Sequence, residues 1–84
     1  MKVTLKLYAT LTDHLPDEAR KSNALELDLA AGTTPAQVIA TQNLPLKLCH
    51  LVLIDGVFVP PAERAERALV DGETLAIWPP IAGG

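Results

Sequence analysis

The strictest constraint on this chain is a period of two. Residues 2–8, Lys-Val-Thr-Leu-Lys-Leu-Tyr, alternate polar and apolar side chains without a break. Successive side chains of a strand point to opposite faces, so Val3, Leu5 and Leu7 share one face and Lys2, Thr4, Lys6 and Tyr8 the other. The pattern returns at 25–29, Leu-Glu-Leu-Asp-Leu, with Leu25, Leu27 and Leu29 opposed to Glu26 and Asp28. Two such half-buried strands need an apolar cover, which means a layered fold around an aliphatic core.

One helix supplies that cover. Thr34-Pro35-Ala36-Gln37 carries an N-cap residue, a proline at the first helical position and a glutamine at the capping-box position. The spacing predicts a helix to about Gln42, with a narrow stripe of Pro35, Val38, Ile39 and Gln42 extended by Leu44. Pro45 marks that it has ended. Residues 12–22 are polar and interrupted by Pro16. They read as a turn or two of helix and then a loop, with His14, Asp17, Glu18, Arg20 and Lys21 in solvent.

Residues 50–54, His-Leu-Val-Leu-Ile, and 57–59, Val-Phe-Val, are β-rich runs separated by Asp55-Gly56, a strong two-residue hairpin signal. Pro60-Pro61 ends the second run. Ala62–Leu69 reads as a turn or two of helix carrying a Glu63–Arg67 pair at i,i+4. Asp71-Gly72 makes a turn and Thr74–Trp78 a last strand. The chain is therefore α+β: a four- to five-stranded mixed sheet with one main helix packed on one face, the β-grasp arrangement. The pattern does not give the strand order. The domain spans 1–78, and 79–84 is a flexible tail.

With 84 residues the chain makes one domain. Its net charge of −3 and lack of any basic run argue against nucleic acid or an anionic membrane as partner. The N-terminus alternates and so is no signal peptide, and the longest strongly apolar run, Leu51–Ile54, is far too short for a bilayer. A cytoplasmic protein is expected. Cys49 is the sole cysteine, which excludes an internal disulfide and a cysteine metal cluster. Cys49 and His50 are neighbours on a strand and so face opposite ways, which makes a thiol–imidazole pair difficult. The acids are scattered over turns and outward faces, and the glycines form no phosphate loop. No bound metal or cofactor is expected.

The chemistry then falls to the end of the chain, Trp78-Pro79-Pro80-Ile81-Ala82-Gly83-Gly84. Gly83 and Gly84 lack a Cβ and form a thread that fits a tunnel too narrow for side chains. Pro79 and Pro80 act as a stiff spacer. A carboxylate on such a thread is a handle for activation by another protein's ATP.

These features carry a family resemblance. The Asp71-Gly72-Glu73 turn, the closing Leu75–Gly84 run, the Ile54–Val59 hairpin and the opening Leu5–Leu11 stretch resemble the MoaD/ThiS family of β-grasp sulfur carriers, relatives of ubiquitin. The Pro-Pro before the tail is closer to the small subunit of molybdopterin synthase than to the thiamine-pathway carrier. The segment Pro60–Leu69 is longer and more charged than the basic family pattern.

The resemblance implies a non-catalytic carrier. An E1-like enzyme would adenylate the Gly84 carboxylate with ATP. Sulfur would then replace AMP to give a thiocarboxylate, and the tail (Pro79, Pro80, Ile81, Ala82, Gly83) would enter an acceptor enzyme such as the molybdopterin synthase large subunit. The alternatives are a carrier for thiamine or another sulfur metabolite, a ubiquitin-like protein modifier, and a plain interaction domain. Alternation places all three aromatics, Tyr8, Phe58 and Trp78, on the face away from the helix. That face is expected to bind partners, with Phe58 and Trp78 central and Tyr8 at its margin.

Overall fold

A computed structural model describes residues 1–80; Ile81, Ala82, Gly83 and Gly84 lie outside the described residues. Five strands form one mixed sheet: β1 (Lys2–Leu7), β2 (Ala24–Asp28), β3 (Leu51–Ile54), β4 (Val57–Phe58) and β5 (Thr74–Trp78). Their order is β2-β1-β5-β3-β4. The central pair β1–β5 is parallel and the other three pairings are antiparallel. Joining the first and last strands at the centre buries both. Val3, Leu5, Leu7, Leu75 and Ile77 are all at or below 1% exposure.

The strands stand where alternation puts them, within a residue at their ends. The Asp55-Gly56 hairpin turn has both residues at positive φ, +48° and +83°, as a type I′ turn requires. Asp55 Oδ1 also accepts from the Thr74 N–H at 2.8 Å, which ties the hairpin to the start of β5.

Helix α2 (Pro35–Thr41) closes the core. The Thr34 hydroxyl accepts from the Gln37 N–H at 3.3 Å, and Gln37 Oε1 accepts from the Thr34 N–H at 2.9 Å, completing the capping box. Pro35, Val38 and Ile39 are buried beneath it, with Leu44 following.

Two segments differ from expectation. Residues 9–20 form a 3₁₀ turn (Ala9–His14) and the one-turn helix α1 (Asp17–Arg20). Their charged residues are in solvent as expected, but Leu11, Leu15 and Ala19 are buried in the same core as α2. The stretch is thus a second cover over the sheet. Residues 60–69 hold only a 3₁₀ turn, Pro61–Glu63, followed by irregular turns. Arg67 does not pair with Glu63: its guanidinium makes a fork with Glu73 at 2.7 and 2.8 Å. The backbone does close one turn here, with the Arg67 N–H donating to the Glu63 carbonyl at 2.9 Å, but the guanidinium is held instead by both oxygens of Glu73, a two-armed bond that Glu63 does not make. Arg64 donates to the carbonyls of Val59, Cys49 and His50, and buried Leu69 donates its N–H to Thr33. The segment is a strap between the hairpin and the α2 N-terminus. Among the described residues, no helix is long and apolar enough to cross a membrane.

Candidate docking face and tail exit

Because β1 and β5 are parallel, their C-terminal ends emerge at the same edge of the sheet. Leu7 is opposite Ile77, which sets the next residues, Tyr8 and Trp78, side by side on the face away from α2. Their rings stack with centroids 3.9 Å apart and planes 2° off parallel. Two hydrogen bonds hold the strand at this point. The Tyr8 N–H donates to the Ile77 carbonyl at 3.2 Å and the His50 N–H to the Trp78 carbonyl at 3.0 Å. Pro79 is still buried and Pro80 is exposed, so the packed body runs one residue past Trp78.

The open face is apolar away from β2. Leu51 lies opposite Trp78, and Leu53 lies between Ala76 and Phe58. Leu51 and Leu53 are half-buried and Phe58 is 51% exposed. All three aromatics stand on the expected side, but in two places. Tyr8 and Trp78 form one block at the tail exit. Phe58 is two strands from Trp78's strand, about 10 Å across the sheet at ordinary strand spacing. Leu51 and Leu53 bridge the gap. The signal for them in the sequence is that the strand Leu51–Ile54 is apolar at every position, which calls for cover on both faces.

Val57, which alternation sets on the helix side of the sheet opposite to Phe58, does not reach the core. It is opposite buried Ile54 but is itself 68% exposed. β4 has only two residues at the sheet edge before Pro60 turns the chain away, so nothing packs over Val57.

At the other end the same face is charged. Lys2 Nζ lies 3.6 Å from Asp28 and 3.9 Å from Glu26, all well exposed. The face thus grades from ion pairs at the start of β1 to aromatic rings where β5 ends.

The remaining reactive groups do not converge on this face. Cys49 is 5% exposed, with Sγ 3.4 Å from the Pro45 carbonyl, and burial pushes its thiol up, with Arg64 opposing the shift. A thiol held protonated is a weak nucleophile. His50 is exposed, and against expectation the two are not neighbours on a strand: Cys49 ends the 3₁₀ turn Leu46–Leu48 and β3 begins only at Leu51. Among the described residues, no three His, Cys, Asp or Glu side chains could hold a metal ion. Glu73, gripped by Arg67 and by the Val70 N–H, is held below the usual carboxylate range, chiefly by the Arg67 hydrogen bonds. It anchors the turn before β5.

A central parallel pair of first and last strands, a capped helix across one face, and a last strand that ends at Trp78 beside the open face define the β-grasp fold of ubiquitin-like proteins. Solved structures agree. SAMP1 from Haloferax volcanii matches with a TM-score of 0.68 at 20% identity, over 100% of both chains. The Haloferax volcanii HVO 2177 protein matches at 0.74 and 23%, over 100% of this chain and 87% of that one. A chain from the complex of subunits 1 and 2 of the molybdopterin-converting factor of Helicobacter pylori 26695 matches at 0.63 and 14%, over 100% of both. At these identities the likeness is one of fold. Comparison with curated proteins gives no significant match. The profile of the ThiS family matches residues 14–84, and the chain belongs to that family.

Proposed function

We propose that this chain is a sulfur carrier whose active group is the Gly84 carboxylate, and that its pathway is molybdopterin biosynthesis. The observation that carries the reading is the tail exit: a ThiS-family chain whose last strand is clamped to Trp78 beside an open apolar face, with Gly83-Gly84 a few residues beyond.

The chemistry asks little of the carrier. An E1-like enzyme transfers AMP from ATP to the Gly84 carboxylate and pyrophosphate leaves. A donor persulfide then attacks the acyl carbon and displaces AMP. A thiol reduces the resulting acyl disulfide, leaving the thiocarboxylate. Carboxylate oxygen is a poor leaving group and the phosphate of AMP a good one, so activation by a partner replaces any catalytic side chain on this domain. The tail next enters an acceptor enzyme, where Gly83 and Gly84 pass a channel sized for bare backbone. The face of Tyr8, Trp78, Leu51, Leu53 and Phe58 docks the body of the carrier. The full-length fold match to a chain of the molybdopterin-converting factor complex supports an acceptor of that class.

A second reading shares the activation step: a protein modifier whose Gly84 carboxylate ends in an isopeptide bond. The likeness to SAMP1 fits it. The two part at the product. Intact-mass and fragment analysis of the chain from its own cells should show a thiocarboxylate at Gly84. Gly84 found joined to lysines of other proteins, with no thiocarboxylate, would replace the carrier by the modifier.

A further inference from the structure

We infer that the partner covering the open sheet face presents a carboxylate to Lys6, set within an otherwise apolar contact. Lys6 stands in the row Ala24, Lys6, Ala76, Leu53, Phe58 across the sheet. Its other same-face neighbours are Thr4 and Tyr8 on its own strand, so its flanks carry no charge. The nearest carboxylate by register is Glu26, diagonal to it across β1 and β2, and Glu26 lies with Lys2. Among the described residues Lys6 has no ion-pair partner, whereas Lys2 has two. Lys6 is half-buried and Ala76 beside it is 8% exposed, as expected if the lysine stem lies over the small residue and lifts its ammonium to the surface.

The position decides the chemistry. Lys6 sits where the charged end of the face gives way to the Tyr8–Trp78 stack, so a partner that covers the rings covers the lysine too. An ammonium taken out of water without a counter-charge carries a desolvation penalty large enough to cancel much of the apolar contact. A partner carboxylate turns that penalty into register, because it fixes where the apolar patch must lie. The complement is a protein surface with apolar side chains around one Asp or Glu.

The sulfur-carrier reading supplies only the choice of probe, the purified E1-like enzyme of the same organism. Binding is measured by calorimetry without ATP, for the wild type, Lys6→Met and Lys6→Glu, at low and high salt, with thermal melts to check folding. Thiocarboxylate formation is scored separately. Lys6→Met should weaken binding about tenfold and Lys6→Glu by a further factor of about ten, and the wild type should lose more affinity with salt than Lys6→Met. Equal affinities among folded variants overturn the inference and leave the carrier reading standing. A Lys6-dependent affinity without thiocarboxylate formation supports the inference and counts against the carrier. Absence of wild-type binding overturns the inference, and absence of thiocarboxylate formation as well overturns the carrier reading.

Discussion

Replacing Glu73 by glutamine tests how the turn before β5 is held. The carboxylate accepts both arms of Arg67 at 2.7 and 2.8 Å and the Val70 N–H at 2.6 Å. Its side chain is 14% exposed and that of Arg67 38%. Charge-assisted bonds of this kind contribute roughly 1.5–3 kcal/mol when shielded, and exposed pairs about 1 kcal/mol or less. With Arg67 more than a third exposed, the loss at neutral pH should be about 1–1.5 kcal/mol. Urea unfolding reads this directly: a slope near 1 kcal/mol/M, ordinary for a small domain, converts it to a midpoint lower by about 1–1.5 M. The pH dependence fixes the cause. The folded-state pKa of Glu73 is depressed, chiefly by the hydrogen bonds from Arg67. Its stabilisation is therefore present above the ordinary carboxylate pKa and lost as pH falls through the lower folded value. Wild type and Glu73→Gln should differ at pH 7 and converge in acid, once the pH has fallen through the depressed folded value. A gap that persists unchanged at low pH would refute the ion-pair account and leave a packing effect.

Three further outcomes are expected. Thr34→Ala removes one half of the capping box and should cost about 1 kcal/mol in urea unfolding, and Thr34→Ser should recover most of it. Phe58→Ala should weaken binding to the E1-like enzyme by about 1–3 kcal/mol with little change in melting temperature, since Phe58 is half exposed at the sheet edge; Trp78→Ala should lower both, because it also removes the stack with Tyr8. Deleting residues 80–84 should leave stability within about 1 kcal/mol while abolishing sulfur loading, and a deleted chain that no longer folds would show that the tail is part of the scaffold.

Much of this fold was written in local patterns. The alternation of β1, the Thr34–Gln37 box and the Asp55-Gly56 turn are short-range signals, and each appears in the structure as expected. What the pattern hid was non-local. Leu11, Leu15 and Ala19 recur every four residues, but Pro16 and the charges between them disguise a buried stripe. Arg67 has an acid four residues before it and another six after, and only the tertiary path selects Glu73. The aromatic side of the candidate site followed from alternation, yet the pairing of Tyr8 with Trp78 needed the parallel β1–β5 register, which no local signal encodes. The contribution of Leu51, Leu53 and Lys6 emerges only once the strand order sets them beside those rings.

The central claim is that sulfur is loaded on Gly84. The direct measurement is the intact mass of the purified chain after incubation with the E1-like enzyme, ATP and a persulfide donor, alongside a chain lacking Gly84. The wild type should gain the mass of one oxygen-to-sulfur exchange, localised by fragmentation to the last residue, and the shortened chain should gain none. An unchanged wild-type mass, or an equal gain in the shortened chain, would contradict the account.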